Sequence, residues 1–232
     1  MPNFSKRSFQ NELLDRDDIP FADLERNLVE LDFINTWLGG HALTILGLAQ
    51  LMSDKSKTYT ILDVGSGGGD TLRYVARWAT KKNLKTNLIG LDYKNEAISL
   101  AQNSSKAFPN ISFVQSDYRD LPTLEVKPDI IISSLFCHHL NDEELVDYLR
   151  LISQNAEIGF VINDLHRNHL AYYSIKWLTK LFSKSYLVKN DAPLSVWRGF
   201  SREDWLSYFK KAGIKNHQLK WKWAFRWLIV GF

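Results

Sequence analysis

The spacing of apolar residues changes along the chain and separates an N-terminal region from the rest. Between residues 21 and 38 apolar side chains recur every three or four positions, which predicts an amphipathic helix that ends at Gly39–Gly40. A second helix is expected from about His41 to Met52, followed by a polar connection over residues 53–58. We therefore predict an N-terminal helical cap over residues 1–57.

Short apolar runs alternate with helical patterns from residue 58 onward. Helices are expected after the first two runs and near Asn141, where a capping residue precedes two glutamates. The runs predicted to form strands lie at 60–65, 88–92, 111–115, 129–134 and 158–164. Alternation of this kind predicts an α/β protein with a parallel, doubly wound sheet.

The C-terminal part of the chain departs from that alternation. Residues 165–200 are too many for a simple connection, so we expect a helical lid there, with its capping helix at 169–189. A helix over about 201–212 is followed by two nearly contiguous strand patterns, at 217–223 and 225–232, that should pair as an antiparallel hairpin. Residues 58–232 thus form one predicted domain that includes the lid.

A glycine-rich loop follows the first predicted strand, in the sequence ILDVGSGGGD. Glycines there allow positive φ angles and let the backbone approach a ligand closely, although a tight turn without a ligand would also use them. The spacing is D-x-G-x-G-x-G, formed by Asp63, Gly65, Gly67 and Gly69. An acid at this strand end disfavours a pyrophosphate and favours a ligand with a cationic amine.

Acids also follow the next two predicted strands. Asp92 ends LIGLDY, and a carboxylate there can accept hydrogen bonds from both hydroxyls of a ribose. Asp117 follows the third strand, where it can accept a hydrogen bond from an exocyclic adenine amine while Tyr118 packs beside the base. Because the strand ends of a parallel sheet meet at one edge, these acids together predict a nucleoside site.

The segments ILDVGSGGG, LIGLDY, VQSDYRDLP and DIIISSLFCHHL resemble, in order and spacing, the motifs of class I S-adenosylmethionine-dependent methyltransferases. The resemblance implies a Rossmann-like, seven-stranded, mostly parallel sheet whose last strand is antiparallel. It also implies S-adenosylmethionine as cofactor. By position, Asp63 and the glycine loop would hold the methionine moiety, Asp92 the ribose, and Asp117 with Tyr118 the adenine. Tyr93, next to Asp92, is also predicted to bind the cofactor.

Histidines are the candidate general bases for methylation of a hydroxyl group. His138 and His139 follow the fourth predicted strand, and His166 and His169 follow the fifth. A histidine can accept the proton of a phenol as the methyl group is transferred. We predict His166 as the base and His139 as the alternative, while packing or capping roles remain open for the histidine pair. The spacings match no standard metal site, so no metal is predicted.

The predicted lid supplies candidate contacts to the acceptor. Its capping helix carries an apolar face that includes Trp177, and a second face with Lys176, Lys180 and Lys184. This pattern fits a lid with a solvated lysine face, or alternatively a surface that meets lipid headgroups. His138, Arg198 and Trp177 are the predicted acceptor contacts, and Arg198 can instead pair with a carboxylate of the fold.

Composition limits the remaining alternatives. The net charge is +3, and Lys and Arg form no dense block, so a nucleic-acid partner is not expected. Cys137 is the only cysteine, which fits a reducing cytoplasm. The N-terminus shows no secretory signal and no segment is long and apolar enough to span a membrane.

The family resemblance and the aromatic lid together predict a small-molecule methyltransferase of the quinone or aromatic-polyketide type. We expect O-methylation of a phenolic, lipophilic acceptor. Methylation of a ring carbon, a non-catalytic cofactor-binding protein, and RNA or protein methylation are the alternatives.

Overall fold

A seven-stranded mixed sheet forms the centre of the protein, in a computed structural model that describes residues 2–16 and 18–232. The strands are β1 (Thr58–Val64), β2 (Lys85–Asp92), β3 (Ile111–Gln115), β4 (Ile130–Ser134), β5 (Gly159–Leu165), β6 (His217–Lys222) and β7 (Arg226–Gly231). The α-helices are α1 (Phe21–Trp37), α2 (Gly40–Leu51), α3 (Asp70–Lys82), α4 (Asn95–Ser104), α5 (Asp142–Asn155), α6 (His169–Phe182), α7 (Tyr186–Arg198) and α8 (Arg202–Ala212).

The strand order is β3-β2-β1-β4-β5-β7-β6, and β7 runs antiparallel to both β5 and β6. This confirms the predicted Rossmann-like sheet with an antiparallel last strand. The order reverses between β1 and β4, which pair in parallel with Asp63 opposite Ile132. In open α/β sheets ligands bind outside the carboxyl ends of the strands at such a reversal.

The sheet buries apolar side chains on both faces. The central strand β4 has Ile130, Ile131 and Ile132 fully buried, which is why its sequence reads as a continuous apolar run. One core forms where α5 and α8 cover the sheet and includes Tyr148 and Trp205. The other forms under α2 and α3. The functional groups at the strand ends therefore rest on a rigid support.

The second N-terminal helix, α2, packs directly on the sheet. A Cβ atom placed on Gly47 of α2 would lie 2.4 Å from Val161 Cγ1 of β5, so only glycine permits this close approach of helix and strand. The division into a cap over residues 1–57 and a domain over 58–232 stays a prediction. No helix in the described ranges is both long and apolar enough to cross a membrane.

The segment between β5 and α8 contains two helices, so the prediction of a single capping helix over 169–189 is wrong in that detail. The break occurs at residues 183–185, between α6 and α7. Glu30 of α1 accepts hydrogen bonds there from the Ser183 hydroxyl and from the backbone N–H groups of Lys184 and Ser185. The Ser185 hydroxyl caps α7 by accepting from the Val188 N–H at 3.3 Å. A carboxylate from a distant helix thus interrupts a locally helical pattern.

Candidate active site

The glycine loop between β1 and α3 bends because three of its residues adopt left-handed backbone angles. Gly65, Gly67 and Gly69 have φ values of 71°, 50° and 72°. The N–H groups of Gly65 and Ser66 donate to the Leu91 carbonyl at 2.9 and 3.0 Å, and Gly67 N–H donates to Asp92 Oδ2 at 2.9 Å. The loop is therefore fastened to the end of β2 and kept open toward the strand ends.

A cavity of about 400 Å³ lies over this loop. It contains seven of the eight residues predicted to bind the cofactor: Asp63, Gly65, Gly67, Asp92, Tyr93, Asp117 and Tyr118. Gly69 is not among the lining residues. It precedes α3, and a Cβ atom there would lie 2.7 Å from Phe113 Cζ, so its role is close packing behind the loop.

Asp63 is the acid most clearly arranged to meet a cation. It is 1% exposed, and its Oδ1 atom has no hydrogen-bond partner among the described residues. Burial, together with the negative charges of Asp70 and Asp92, raises the pKa of this carboxyl well above its usual value. A cationic amine placed in the cavity would relieve both the buried charge and the missing hydrogen bond.

Asp92 and Asp117 are positioned by their own backbone. Asp92 Oδ1 accepts from the Lys94 N–H at 3.0 Å, and burial raises the pKa of this carboxyl. Asp117 Oδ1 accepts from the Arg119 N–H at 2.9 Å at the start of a short 3₁₀ turn. Tyr118, which begins that turn, packs edge-on against Phe136 with ring centroids 5.7 Å apart.

A second cavity of about 360 Å³ adjoins the first. Four residues line both cavities: Leu14, Leu31, Leu135 and His139. The walls of the second cavity come from α1, α6, α7 and the turn between β6 and β7, and they include Ile34, Leu38, Ile175, Leu178, Trp223 and Phe225. The arrangement suits a donor site and an acceptor site that share a wall.

His139 stands at that shared wall and is held by Asp15. Its Nδ1 atom lies 3.0 Å from Asp15 Oδ1, and its Nε2 atom lies 3.8 Å from Glu12 Oε2. Burial lowers the pKa of His139, but the charge of Glu12 and the hydrogen bond to Asp15 outweigh this effect, so the net shift is upward. The same contact brings the pKa of Asp15 down to about 2, against the opposing effect of burial.

His138 forms a parallel arrangement one residue earlier. Its Nδ1 atom lies 2.8 Å from Asp164 Oδ1, and its Nε2 atom lies 3.6 Å from Glu12 Oε1. His138 lines the second cavity, and its role as an acceptor contact stays a prediction. Glu12, His138 and His139 are close enough to share a cation, yet the prediction that no metal is used remains untested.

Three predicted site residues lie elsewhere. His166 lines neither cavity, and its Nδ1 atom accepts a hydrogen bond from Trp221 Nε1 at 3.1 Å. Trp177 is 60% exposed on the outer side of α6, while its neighbour Leu178 lines the second cavity. Arg198 lines neither cavity.

Arg198 instead binds the backbone of the histidine pair. Its Nε and Nη2 atoms donate to the carbonyls of His138 and His139 at 2.9 and 2.8 Å, and its Nη1 atom lies 3.4 Å from Asp15 Oδ2. Its donors are engaged by the fold, which matches the alternative that Arg198 pairs with a carboxylate of the protein. Arg198 is thus a positioning residue.

Sequence reasoning missed the N-terminal acids Glu12 and Asp15. Glu12 precedes and Asp15 ends a 3₁₀ turn at Leu13–Asp15, which is fixed by reciprocal hydrogen bonds between the two residues. The turn carries only two adjacent leucines, too short a pattern to indicate a helix. The sequence therefore offered no signal that this segment reaches the strand ends.

Comparison with known proteins agrees with this geometry. The family described as methyltransferase domain matches residues 61–157, which extend from β1 past the end of α5 and include the glycine loop, Asp92, Asp117 and the histidine pair. This match, the strand order and the cavity over the glycine loop together support a class I S-adenosylmethionine-dependent methyltransferase.

Relatives of this methyltransferase are distant. Carboxy-S-adenosyl-L-methionine synthase from Nautilia profundicola is 24% identical over 192 residues, which cover 76% of each chain. A SAM-dependent methyltransferase from Aquifex aeolicus superposes with a TM-score of 0.64 at 16% identity, covering 89% of this chain and 97% of that one. Human N-acetylserotonin methyltransferase, solved with SAM, gives a TM-score of 0.63 at 16% identity and covers 91% of this chain. The methyltransferase spans 56% of that human chain and 49–60% of several other solved structures.

The first cavity of the methyltransferase fits its cofactor, S-adenosylmethionine. The unpartnered oxygen of buried Asp63 suits the amino group of the methionine moiety, and the glycine loop leaves room for that end of the molecule. The ribose hydroxyls would meet Asp92, and the adenine would meet Asp117 and Tyr118. When bound, the cofactor supplies an electrophilic methyl group on a sulfonium.

Proposed function

We propose that this methyltransferase methylates a hydroxyl group of a phenolic, lipophilic small molecule, with His139 as the general base. One observation carries the proposal: His139 lines both cavities, and a carboxylate fixes its ring. His166 was the first choice from the sequence, but its Nδ1 atom is engaged by Trp221 and it lies outside both cavities. The base is therefore assigned to the alternative predicted residue.

The chain's own groups then have distinct roles. With its Nδ1–H donated to Asp15, the neutral imidazole of His139 keeps a lone pair on Nε2 for the acceptor hydroxyl. Glu12, 3.8 Å from that nitrogen, stabilises the imidazolium formed when His139 takes the proton. A phenol is mostly protonated at neutral pH, so such a base is useful.

The second cavity supports a largely apolar acceptor. Apolar side chains from α1, α6, α7 and the turn between β6 and β7 form much of its wall, and His138 and His139 are among its polar groups. An apolar body in this cavity would exclude water from the hydroxyl and orient it toward the shared wall. This arrangement supports an aromatic acceptor with its hydroxyl inward.

Two further functions have support of their own. Among structures of this fold is a citrinin polyketide synthase CMeT domain, so methylation of a ring carbon, assisted by the same base, is the second candidate. The relative named carboxy-S-adenosyl-L-methionine synthase makes formation of a carboxylated cofactor a third. That reaction would need a carboxyl donor in the second cavity.

The proposed setting is the cytoplasm, supported by the single, buried Cys137. Contact with a membrane surface is also proposed, because Leu170, Trp177, Leu181 and Phe182 are exposed along α6 beside Lys176 and Lys180. An apolar stripe flanked by lysines is typical of interfacial helices. A lipophilic acceptor would be met at such a surface.

One experiment tests the proposed function and separates the candidates. The protein is incubated with methyl-labelled cofactor and a panel of phenols, quinols and RNA, and the products are examined by mass spectrometry. Labelled methyl ethers support O-methylation, whereas label on a ring carbon supports the second candidate. A carboxylated cofactor that forms when a carboxyl donor is added to the incubation, without methylated product, supports the third. Label in RNA alone would contradict all of them.

A further inference from the structure

Arg226, the first residue of β7, lies inside the second cavity. The residue is 2% exposed and lines the cavity together with Leu165, its partner across the sheet. Its guanidinium lies close to the first residue of α2, since a Cβ atom on Gly40 would be 3.0 Å from Arg226 Cζ. A helix N-terminus carries partial positive charge, so this neighbour does not stabilise the guanidinium.

The hydrogen bonds of Arg226 are incomplete. Its Nη1 atom donates to Asn163 Oδ1 at a long 3.4 Å, and its Nε atom has no partner in the part of the chain that the structure describes. No carboxylate of residues 2–16 or 18–232 lies within 4.0 Å of it. Since a guanidinium has five N–H donors, most of its capacity is unused.

The other buried arginines each lie beside a carboxylate. Arg7 lies 3.1 Å from Asp142, Arg167 lies 2.6 Å from Asp204, and Arg198 lies 3.4 Å from Asp15. Each of them also donates to backbone carbonyls. The protein thus pairs its buried guanidinium groups where they serve the fold, and Arg226 stands out among the described residues.

An unpaired charge in this position is costly. Burial lowers the pKa of Arg226 to about 10, even though the negative charge of Asp164 acts in the opposite direction. Asp164 is already bonded to His138 at 2.8 Å and to the Leu165 N–H at 2.7 Å. Buried charges are normally paired, so a bound anion would complete this site.

A second side chain of the same cavity is also incomplete. Asn27 of α1 is 1% exposed, and neither its amide nitrogen nor its amide oxygen has a partner among the residues described. Buried amide groups are rarely left without hydrogen bonds, so unsatisfied groups in a cavity point to a ligand. Its amide can therefore meet another polar group of a ligand in this cavity.

We propose that the acceptor carries a carboxylate, which binds to Arg226 in the second cavity. The inference rests on the proposed function and narrows its acceptor to a hydroxy acid with an apolar, aromatic body. The hydroxyl then lies at the His139 end and the carboxylate at the Arg226 end. A guanidinium suits this task because its fork of N–H groups matches both oxygens of a carboxylate.

A matched pair of probes, 4-hydroxycinnamate and its methyl ester, tests the proposal. Their binding is measured by calorimetry in the presence of S-adenosylhomocysteine. The acid should bind the wild type at least about tenfold more tightly than the ester, because charge-assisted hydrogen bonds are lost in the ester. Arg226→Met should remove this preference, and Arg226→Lys should keep part of it. Arg150→Met, which removes an exposed guanidinium, serves as the control and should leave it unchanged.

Thermal unfolding without ligand separates a binding role from a structural one. If Arg226 binds an anion, Arg226→Met should keep or raise the melting temperature, since an unpaired buried charge is removed. A large decrease, with acid and ester still bound equally by the wild type, would overturn the proposal.

Two further outcomes separate this inference from the proposed function. Methylation of neutral phenols that is indifferent to Arg226→Met would leave the proposed function standing and reject the carboxylate. If binding of the acid depended on Arg226 but no methyl transfer to phenols occurred, the carboxylate site would stand. The proposed function would then be rejected. If acetate raised the melting temperature as much as the aromatic acid does, the cavity would be a site for small anions. That result would contradict the acceptor assignment.

Discussion

His139 Nδ1 lies 3.0 Å from Asp15 Oδ1, although 124 positions separate the two residues in the sequence. The contact joins the end of β4 to an N-terminal turn and fixes the imidazole at the wall between the two cavities. The carboxylate thus selects the tautomer in which Nε2 is free to accept a proton.

Replacement of His139 by alanine should lower the rate of methyl transfer by about 10²–10⁴-fold, as expected for loss of a general base. Cofactor affinity should change little, because the predicted cofactor contacts come mainly from other strand ends. His166→Ala is the matched control and should retain most activity. If His166→Ala were inactive and His139→Ala active, the general base would be His166, as first predicted from the sequence. Activity in both would mean that the acceptor ionises without a protein base.

The pH dependence of activity should follow the raised pKa of His139. Only the neutral imidazole accepts a proton, so the rate should rise as pH increases through a value above about 6.5. Asp15→Asn removes a carboxylate that raises this pKa, and it should shift the rate profile to lower pH. An unchanged profile in the Asp15 variant would exclude His139 as the titrating group.

Stability should show the opposite trend over the same window. Because the folded pKa of His139 is raised, its contribution to the free energy of unfolding is complete below about pH 6.5 and is lost as pH rises through the folded value. Asp15, with its pKa near 2, contributes above its unfolded pKa and loses that contribution as pH falls toward 2. Urea unfolding of wild type and His139→Gln at several pH values measures the difference.

Asp92→Ala should weaken binding of S-adenosylhomocysteine by about 1.5–3 kcal/mol, roughly ten- to over a hundredfold. The carboxylate both faces the cavity and accepts from the Gly67 N–H, so its loss affects ligand and loop together. Asp92→Asn keeps one acceptor oxygen and should be less damaging. Calorimetry on the three proteins checks the order, and equal affinities would remove Asp92 from the site.

Gly69→Ala separates packing from cofactor binding. The added Cβ atom would meet Phe113 at 2.7 Å, and the backbone angle disfavours alanine, so we expect destabilisation of about 1–3 kcal/mol. Affinity for S-adenosylhomocysteine below the melting transition should stay close to that of the wild type. A large loss of affinity without loss of stability would place Gly69 back in direct contact with the cofactor.

Membrane contact through α6 predicts binding to anionic vesicles that decreases with salt. Replacement of Lys176, Lys180 and Lys184 by glutamine should weaken it, while replacement of Lys81 and Lys82 on α3 provides a charge control. Leu181→Gln should weaken binding even at low salt, since its side chain is exposed beside Trp177. Without association at low salt, α6 is better described as a lid alone.

The sequence by itself determined the fold and the grouping of the candidate cofactor residues, because both depend on local patterns. Apolar runs such as Ile130–Ile132 mark buried strands, and the acids Asp63, Asp92 and Asp117 come directly after successive strands. Parallel strands place their carboxyl ends at one edge, so the chain order alone brings these side chains together. The hairpin was predicted because its two strands are nearly adjacent in sequence.

The tertiary structure decided the acceptor site because its parts come from distant segments. Glu12 and Asp15 meet the histidine pair only through the folding of the N-terminal segment, and Glu30 breaks the lid by capping residues 183–185. Arg226 reads as an ordinary strand residue, and only packing shows that it is buried without a carboxylate of the described chain. Periodicity reports which side of an element is apolar, but the partner that meets a polar side chain depends on contacts far apart in sequence.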